Sequence, residues 1–300
     1  YNGEQAKVTD EMIDVDKLSA NGFVYVDPVT SNKTNAHTFI SDSTKEYSQS
    51  ITTAAKVSGK FGLSGSFEAS FDMSHDTEIK SNQKLITIQS LLKNQRDYIK
   101  GITNSELAGY ATESFKEDVE TLTPKELFDK YGTHVLKDIF MGGRFELNYI
   151  YTNKSNKSKE DIRISASASH SRVKGEASAK IDKDRAEVEE NSEIHIAAYG
   201  GSITVDPTSI EKARDSYPEW ARKVDEGYNT LIDSSQIVSM WDIVKYLKID
   251  NAETKSKEIE EYFNSRSNEI AAEFQESVSV ETYIESIHIG AGNTVFNAQN

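Results

Sequence analysis

Between Val57 and Met73 the chain reads VSGKFGLSGSFEASFDM, and every odd-numbered position is apolar or glycine. Val57, Gly59, Phe61, Leu63, Gly65, Phe67, Ala69, Phe71 and Met73 alternate with Ser58, Lys60, Gly62, Ser64, Ser66, Glu68, Ser70 and Asp72. Period-two alternation sets the two groups on opposite faces of an extended chain. The run is far longer than a usual strand of about five or six residues. Its glycines and serines make it a poor helix former. It therefore predicts a long strand with one apolar and one polar face.

A second segment repeats the pattern. Ile162, Ile164, Ala166 and Ala168 alternate with Arg163, Ser165, Ser167 and Ser169. Past Ser169 the parity flips, and Val173, Gly175, Ala177, Ala179 and Ile181 hold the apolar or glycine positions. A hairpin with a turn or bulge near His170–Lys174 produces such a flip. Its tip would carry His170, Arg172 and Lys174.

Around these segments the texture is mixed. Phe23, Tyr25 and Val29 suggest a strand, with Asp27-Pro28 as a turn. Leu85–Ile99 and Ser105–Val119 carry mixed apolar stripes that read as helical. Thr123-Pro124-Lys125-Glu126 is a helix start, with Gly132 as the stop after Tyr131. Strands follow over Val135–Met141, running into Gly142-Gly143, and over Phe145, Leu147, Tyr149 and Tyr151. Ile194–Ala198 is a further strand, leading into Gly200-Gly201. The remainder reads as mostly helical. Ser216-Tyr217-Pro218-Glu219-Trp220 resembles a helix start, Ile237–Leu247 is an apolar stretch, and Asn251–Glu276 an amphipathic helix with Ile259, Phe263, Ile270 and Phe274 on one face. Beyond Val278 the texture turns strand-like again.

Composition removes several function classes. With 49 acidic and 34 basic side chains, the 300 residues carry a net charge of −15, which opposes sequence-independent binding to nucleic acid. The absence of cysteine excludes disulfide scaffolds, thiolate metal sites and thiol nucleophiles. No Walker loop, HExxH, GxSxG or EF-hand pattern occurs. Gly59, Gly62 and Gly65 lack the spacing of a dinucleotide fingerprint. The six histidines are scattered without metal-ligand spacing. Neither catalytic residues, a metal site nor a cofactor is expected.

The most specific constellation is Tyr131-Gly132-Thr133-His134-Val135, then six residues, then Gly142-Gly143. On local physics alone it is a helix stop followed by a strand. The pattern resembles the signature of the membrane attack complex/perforin (MACPF) family, with Val135 where the family often has an aromatic residue. Two amphipathic segments flank the signature in the family's order, and Gly200-Gly201 follows the second. The resemblance covers residues 1–276, the expected pore-forming domain; residues 277–300 are expected to begin a C-terminal targeting module.

The resemblance implies an α+β fold: a bent, twisted, four-stranded antiparallel sheet flanked by two helical clusters. It implies that the clusters convert into membrane-inserting β-hairpins, so that a secreted soluble monomer becomes a ring on a target-cell membrane. The partners would be a membrane lipid or receptor and further copies of the chain, with no nucleic acid and no enzymatic step. Val57, Phe61, Leu63, Phe67, Ala69, Phe71 and Met73 would face lipid in the first hairpin, with a return strand inside Glu78–Gln89. Ile162, Ile164, Ala166, Ala168, Val173, Ala177, Ala179 and Ile181 would do so in the second. Gly142, Gly143, Gly200 and Gly201 would permit the sheet's bend, and Gly132, Thr133 and His134 would fix its core. Elementary physics agrees, since strands can cross a bilayer only as a closed barrel. The alternative function is a binding or adhesion protein of the same fold that never inserts.

Overall fold

The structure, a computed structural model, describes residues 10–31, 33–55, 68, 70–174, 182–274, 287–289 and 294–296. The described residues hold eight strands: β1 (Val24–Pro28), β2 (Thr34–Ser41), β3 (Gln83–Ile99), β4 (His134–Thr152), β5 (Ser192–Tyr199), β6 (Thr230–Ser239), β7 (Ile287–Ile289) and β8 (Thr294–Phe296). Among the described residues the last two pair with each other and not with the main sheet.

β3 and β4 are the spine, antiparallel and 17 and 19 residues long. Each is shared by two shorter partners. β2 lies along Leu85–Leu92 and β1 along Gln95–Ile99, while β5 lies along Arg144–Tyr151 and β6 along His134–Gly142. The sheet has six strands but is four strands wide at either end. The outer strands change over beside Gly142 and a bulge between Lys93 and Gln95, an irregularity of the kind that bends a strand.

The residues 85–99, expected as helix, are therefore the central strand. Both of its faces are covered. Leu85 joins one core, and Ile86 and Ile88 join the other. A strand buried on both sides loses its alternation and reads as a mixed stripe. The helical expectation for 237–247 also needs correction. Its first residues end β6, whose pairing with β4 slips at three places and so hides a period of two.

Ten helices complete the described residues: α1 (Val15–Ala20), α2 (Thr44–Ala55), α3 (Asn104–Ala108), α4 (Glu113–Thr121), α5 (Pro124–Tyr131), α6 (Lys159–Val173), α7 (Asp182–Glu190), α8 (Ile210–Asp225), α9 (Met240–Val244) and α10 (Ala252–Glu273). α5 begins at the expected capping box of Thr123 and Glu126, and Gly132 ends it at a φ of 75°. α8 starts earlier than the Ser216–Trp220 motif suggested. Ser209 caps it, and Pro218 lies inside. The sheet separates two cores. One gathers α1, α3, α4, α5, α9 and α10; the other gathers α6, α7 and α8 against Phe145, Leu147, Tyr149 and Tyr151.

Candidate functional site

The signature residues sit where helix, sheet and the last helices meet. Tyr131 is buried, and its hydroxyl donates to Asp118 Oδ2 at 2.5 Å and lies 3.0 Å from Ser114 Oγ. The Thr133 carbonyl accepts the Met240 N–H at 2.9 Å, which fixes the start of α9 to the start of β4. His134 is buried edge-on against Trp241 and Phe263, with both ring centroids 5.6 Å away. Its Nδ1 lies 2.8 Å from Thr133 Oγ1. Burial pushes its pKa down to about 4, so the ring is neutral at physiological pH and packs as an aromatic.

Of the four paired glycines, Gly143 and Gly201 lie against one helix, while Gly142 and Gly200 lie against neighbouring backbone. A Cβ on Gly142 would meet the Leu92 carbonyl oxygen at 1.9 Å. A Cβ on Gly143 would meet Val224 Cγ2 at 2.5 Å and Trp220 Cζ2 at 2.6 Å. Gly200 and Gly201 have φ of +76° and +72°, and a Cβ on Gly201 would lie 2.6 Å from Trp220 Cδ1. Trp220 of α8 is fully buried on this glycine floor, edge-on to Phe145 at 5.5 Å.

Below the glycines, the two amphipathic segments connect to the spine. The expected lipid-facing residues Val57, Phe61, Leu63, Phe67 and Ala69 lie outside the described residues. Of the same set, Phe71 ends a short helical stretch and is fully buried, 5.1 Å from the Tyr47 ring, and Met73 packs on the first core. The return strand expected within 78–89 overlaps the start of the spine. From Gln83 on, these residues belong to β3, and Ile86 and Ile88 are core.

The described part of the second segment is not a strand here. Lys159–Val173 is α6. Ile162, Ser165, Ala166, Ser169, His170 and Val173 are buried, which is a helical spacing of three and four. Ile164 is 41% exposed, and Ala168 is half-buried. His170, expected at a turn, is a buried helical residue. Ala177, Ala179 and Ile181 lie outside the described residues.

Several partners that position these segments left no readable signal, because they meet across long separations. His75 stands between Glu68 Oε1 at 2.9 Å and Glu273 Oε2 at 3.0 Å, clasping the first segment to α10. Burial lowers the pKa of this ring, and the two carboxylates more than reverse that, raising it above the ordinary imidazole value. Arg96 forks onto Asp138 at 2.8 and 2.7 Å, and Ser235 donates to the same carboxylate. These bonds lock β3, β4 and β6 together. They hold the Asp138 carboxyl below the usual range against the opposing effect of burial. The sheet face under Tyr47 of α2 carries the polar pairs Thr87–Asn148 at 2.7 Å and Gln89–Glu146 at 2.9 Å. Among the described residues there is no cluster of metal-ligating side chains, and no helix is long and apolar enough to cross a membrane.

The sequence matches the family model of the MAC/Perforin domain over residues 7–269. The chain belongs to the MAC/Perforin family. Solved MAC/Perforin-like structures share its fold. GNIP1Aa from Chromobacterium piscinae superimposes with a TM-score of 0.69 at 17% identity, covering 86% of this chain and 49% of that one. A putative cell invasion protein with a MAC/Perforin domain from Bacteroides thetaiotaomicron gives 0.61 at 14% identity, covering 99% and 62%. The chain thus spans about half to three-fifths of the length of these structures. No curated protein matches its sequence. The fold implied by the signature, an antiparallel sheet flanked by helical clusters, is the one the structure holds.

Proposed function

We propose that the chain is a pore-forming protein. It is secreted, binds a target membrane through a lipid or receptor, and assembles with further copies of itself. The two segments beside the spine then open into amphipathic hairpins of one large transmembrane barrel. In this reading residues 1–276 are the pore-forming domain, the signature residues and paired glycines are structural, and no chemical step is involved.

The conformation of α6 carries the reading. As a helix it buries Ser165 and Ser169 and leaves Ile164 exposed. As a strand the same residues would place Ile162, Ile164, Ala166 and Ala168 on one face and only polar side chains on the other. The sequence suits the conformation it lacks better than the one it holds, as expected of an element with two states. The first segment adds support. The preceding helix, α2, lies over polar pairs, a surface that offers little hydrophobic adhesion.

The test is dye release from vesicles, with electron microscopy of the same samples, for the wild type and Ile164→Asn. Ile164 is exposed in the folded form, so the substitution leaves stability within about 0.5 kcal/mol. It places an amide against lipid in the barrel, so release falls. Rings with release support pore formation. Bound protein that leaves vesicles and cells sealed favours the non-lytic binding alternative.

A further inference from the structure

The β3–β4 ladder points to the pairing that the opened segments adopt, an inference that rests on the pore reading. From Lys93–Gly142 to Gln83–Thr152 the register never slips. The Asn153 N–H donates to the Asn82 carbonyl at 2.7 Å, one rung farther. We propose that the opened strands continue this register, so that each step back from Gln83 is matched by one step forward from Thr152.

Three acid–base pairs result. Glu78 comes opposite Lys157, Asp76 opposite Lys159 and Asp72 opposite Arg163. All three lie on the face of Ile88 and Leu147, and they become cross-strand ion pairs lining the lumen. On the other face Met73 meets Ile162, Phe71 meets Ile164, and His75 meets Glu160. A slip of one residue would turn the apolar set of one strand to the wrong face. A slip of two residues, in either direction, sets Asp72 or Asp76 against Asp161. Only the unslipped register satisfies both faces.

The folded form employs these charges differently. Lys159 Nζ lies 2.7 Å from Asp42 and 2.9 Å from Glu46, Lys157 lies 3.3 Å from Glu187, and Arg163 forks onto Glu160. Asp72, Asp76 and Glu78 are exposed and have no basic partner among the described residues. Opening the segments therefore exchanges ion pairs, and gives these three carboxylates basic partners that they lack among the described residues.

The outer ladders agree with this depth. The β4–β5 ladder pairs Tyr151 with Ser192, and Thr152 N–H donates to the Asn191 carbonyl as its next rung at 2.9 Å. Continued, it sets Ile162 opposite Ile181 and turns at Ser171–Arg172, where the sequence parity flips. The β2–β3 ladder pairs Ser41 with Leu85 and, continued, turns at Leu63, level with the other tip. The apolar face then begins at the Met73–Ile162 rung and runs about 10 residues to both turns, the length a tilted strand needs to cross a bilayer.

The absence of native cysteine lets introduced pairs report the register. Asp76→Cys with Lys159→Cys is in register. Asp76→Cys with Lys157→Cys, and Asp76→Cys with Asp161→Cys, are each two residues off. Facing positions bring Cβ atoms about 4.5–5.5 Å apart and diagonal ones about 7–8 Å, too far for a disulfide. The full chain is bound to phosphatidylcholine–phosphatidylglycerol vesicles, mildly oxidised, digested and read by mass spectrometry, with dye release measured in parallel. The in-register pair alone gains a cross-link on vesicle binding. Asp76→Lys and Lys159→Asp each lower release severalfold, and the double reversal restores it. Release by the wild type with a cross-link in an off-register pair, or in none, overturns the register and leaves the pore reading standing. Bound protein with neither release nor any cross-link overturns both.

Discussion

Gly142→Ala tests the strand changeover at its tightest point. The added Cβ would lie 1.9 Å from the Leu92 carbonyl oxygen, a backbone atom of the facing strand. Ordinary contact begins near 3.4 Å, so the two central strands must part there by about 1.5 Å. Hydrogen-bonded strands sit about 4.8 Å apart, and a bond of about 2.9 Å stretched that far no longer counts as one. Two groups left unpaired in a covered sheet, at about 1–3 kcal/mol each, amount to about 2–6 kcal/mol. Alanine's stiffer unfolded chain returns only about 0.4–1 kcal/mol. Gly101→Ala is the control: Gly101 has a φ of +80° and nothing within 4 Å of a Cβ, so it costs only left-handed strain, about 1–2 kcal/mol. Gly143→Ala presses on side chains of α8 and falls between the two. Urea unfolding, followed by circular dichroism, gives the order. A Gly142→Ala protein no less stable than Gly101→Ala would refute the close-approach argument.

Further expectations follow from single contacts. Trp220→Ala empties the pocket over the glycines and costs about 3–5 kcal/mol by urea unfolding; a loss below 1 kcal/mol counts against Trp220 as the anchor. Arg96→Ala leaves the buried Asp138 carboxylate without its forked partner, at a cost of about 2–4 kcal/mol, and Arg96→Lys recovers only part of it. The raised pKa of His75 means its clasp contributes fully below the ordinary imidazole pKa of about 6.5 and is lost as pH rises through the folded value. The melting-temperature gap between wild type and His75→Gln should therefore shrink from pH 5 to pH 9, and a constant gap counts against the clasp. His134 behaves oppositely. Its folded pKa of about 4 makes its contribution complete above about 6.5 and progressively lost as pH falls toward 4, so His134→Gln should flatten the acid side of the stability profile.

What could be read from the sequence were the features whose physics is local. The Thr123–Glu126 capping box, the Gly132 stop and the apolar face of α10 are each decided within a few residues. The glycine pair Gly142-Gly143 was equally visible, and it lies where the outer strands change over. What stayed hidden depended on partners far along the chain. β3 was unreadable as a strand because two cores cover it, so Leu85, Ile86 and Ile88 break the alternation. β6 was hidden by its bulges. In the second period-two segment the alternation is strong, yet α6 is held as a helix by contacts with β2, β3, α7 and α8. The Arg96–Asp138 fork and the His75 clasp join residues 42 and 198 positions apart, beyond the reach of any local pattern.

The position of Trp220 on its glycine floor has a spectroscopic consequence. The chain has only two tryptophans. One reports the strand changeover at the middle of the spine, and the other, Trp241, lies edge-on to His134 at the start of β4. In a Trp241→Phe background the emission of Trp220 is a single-site gauge of whether the glycine corner stays dry. With Trp220→Phe, the emission of Trp241 instead follows the protonation of its imidazole neighbour. Intrinsic fluorescence thus resolves in time whether the changeover or the start of β4 moves first.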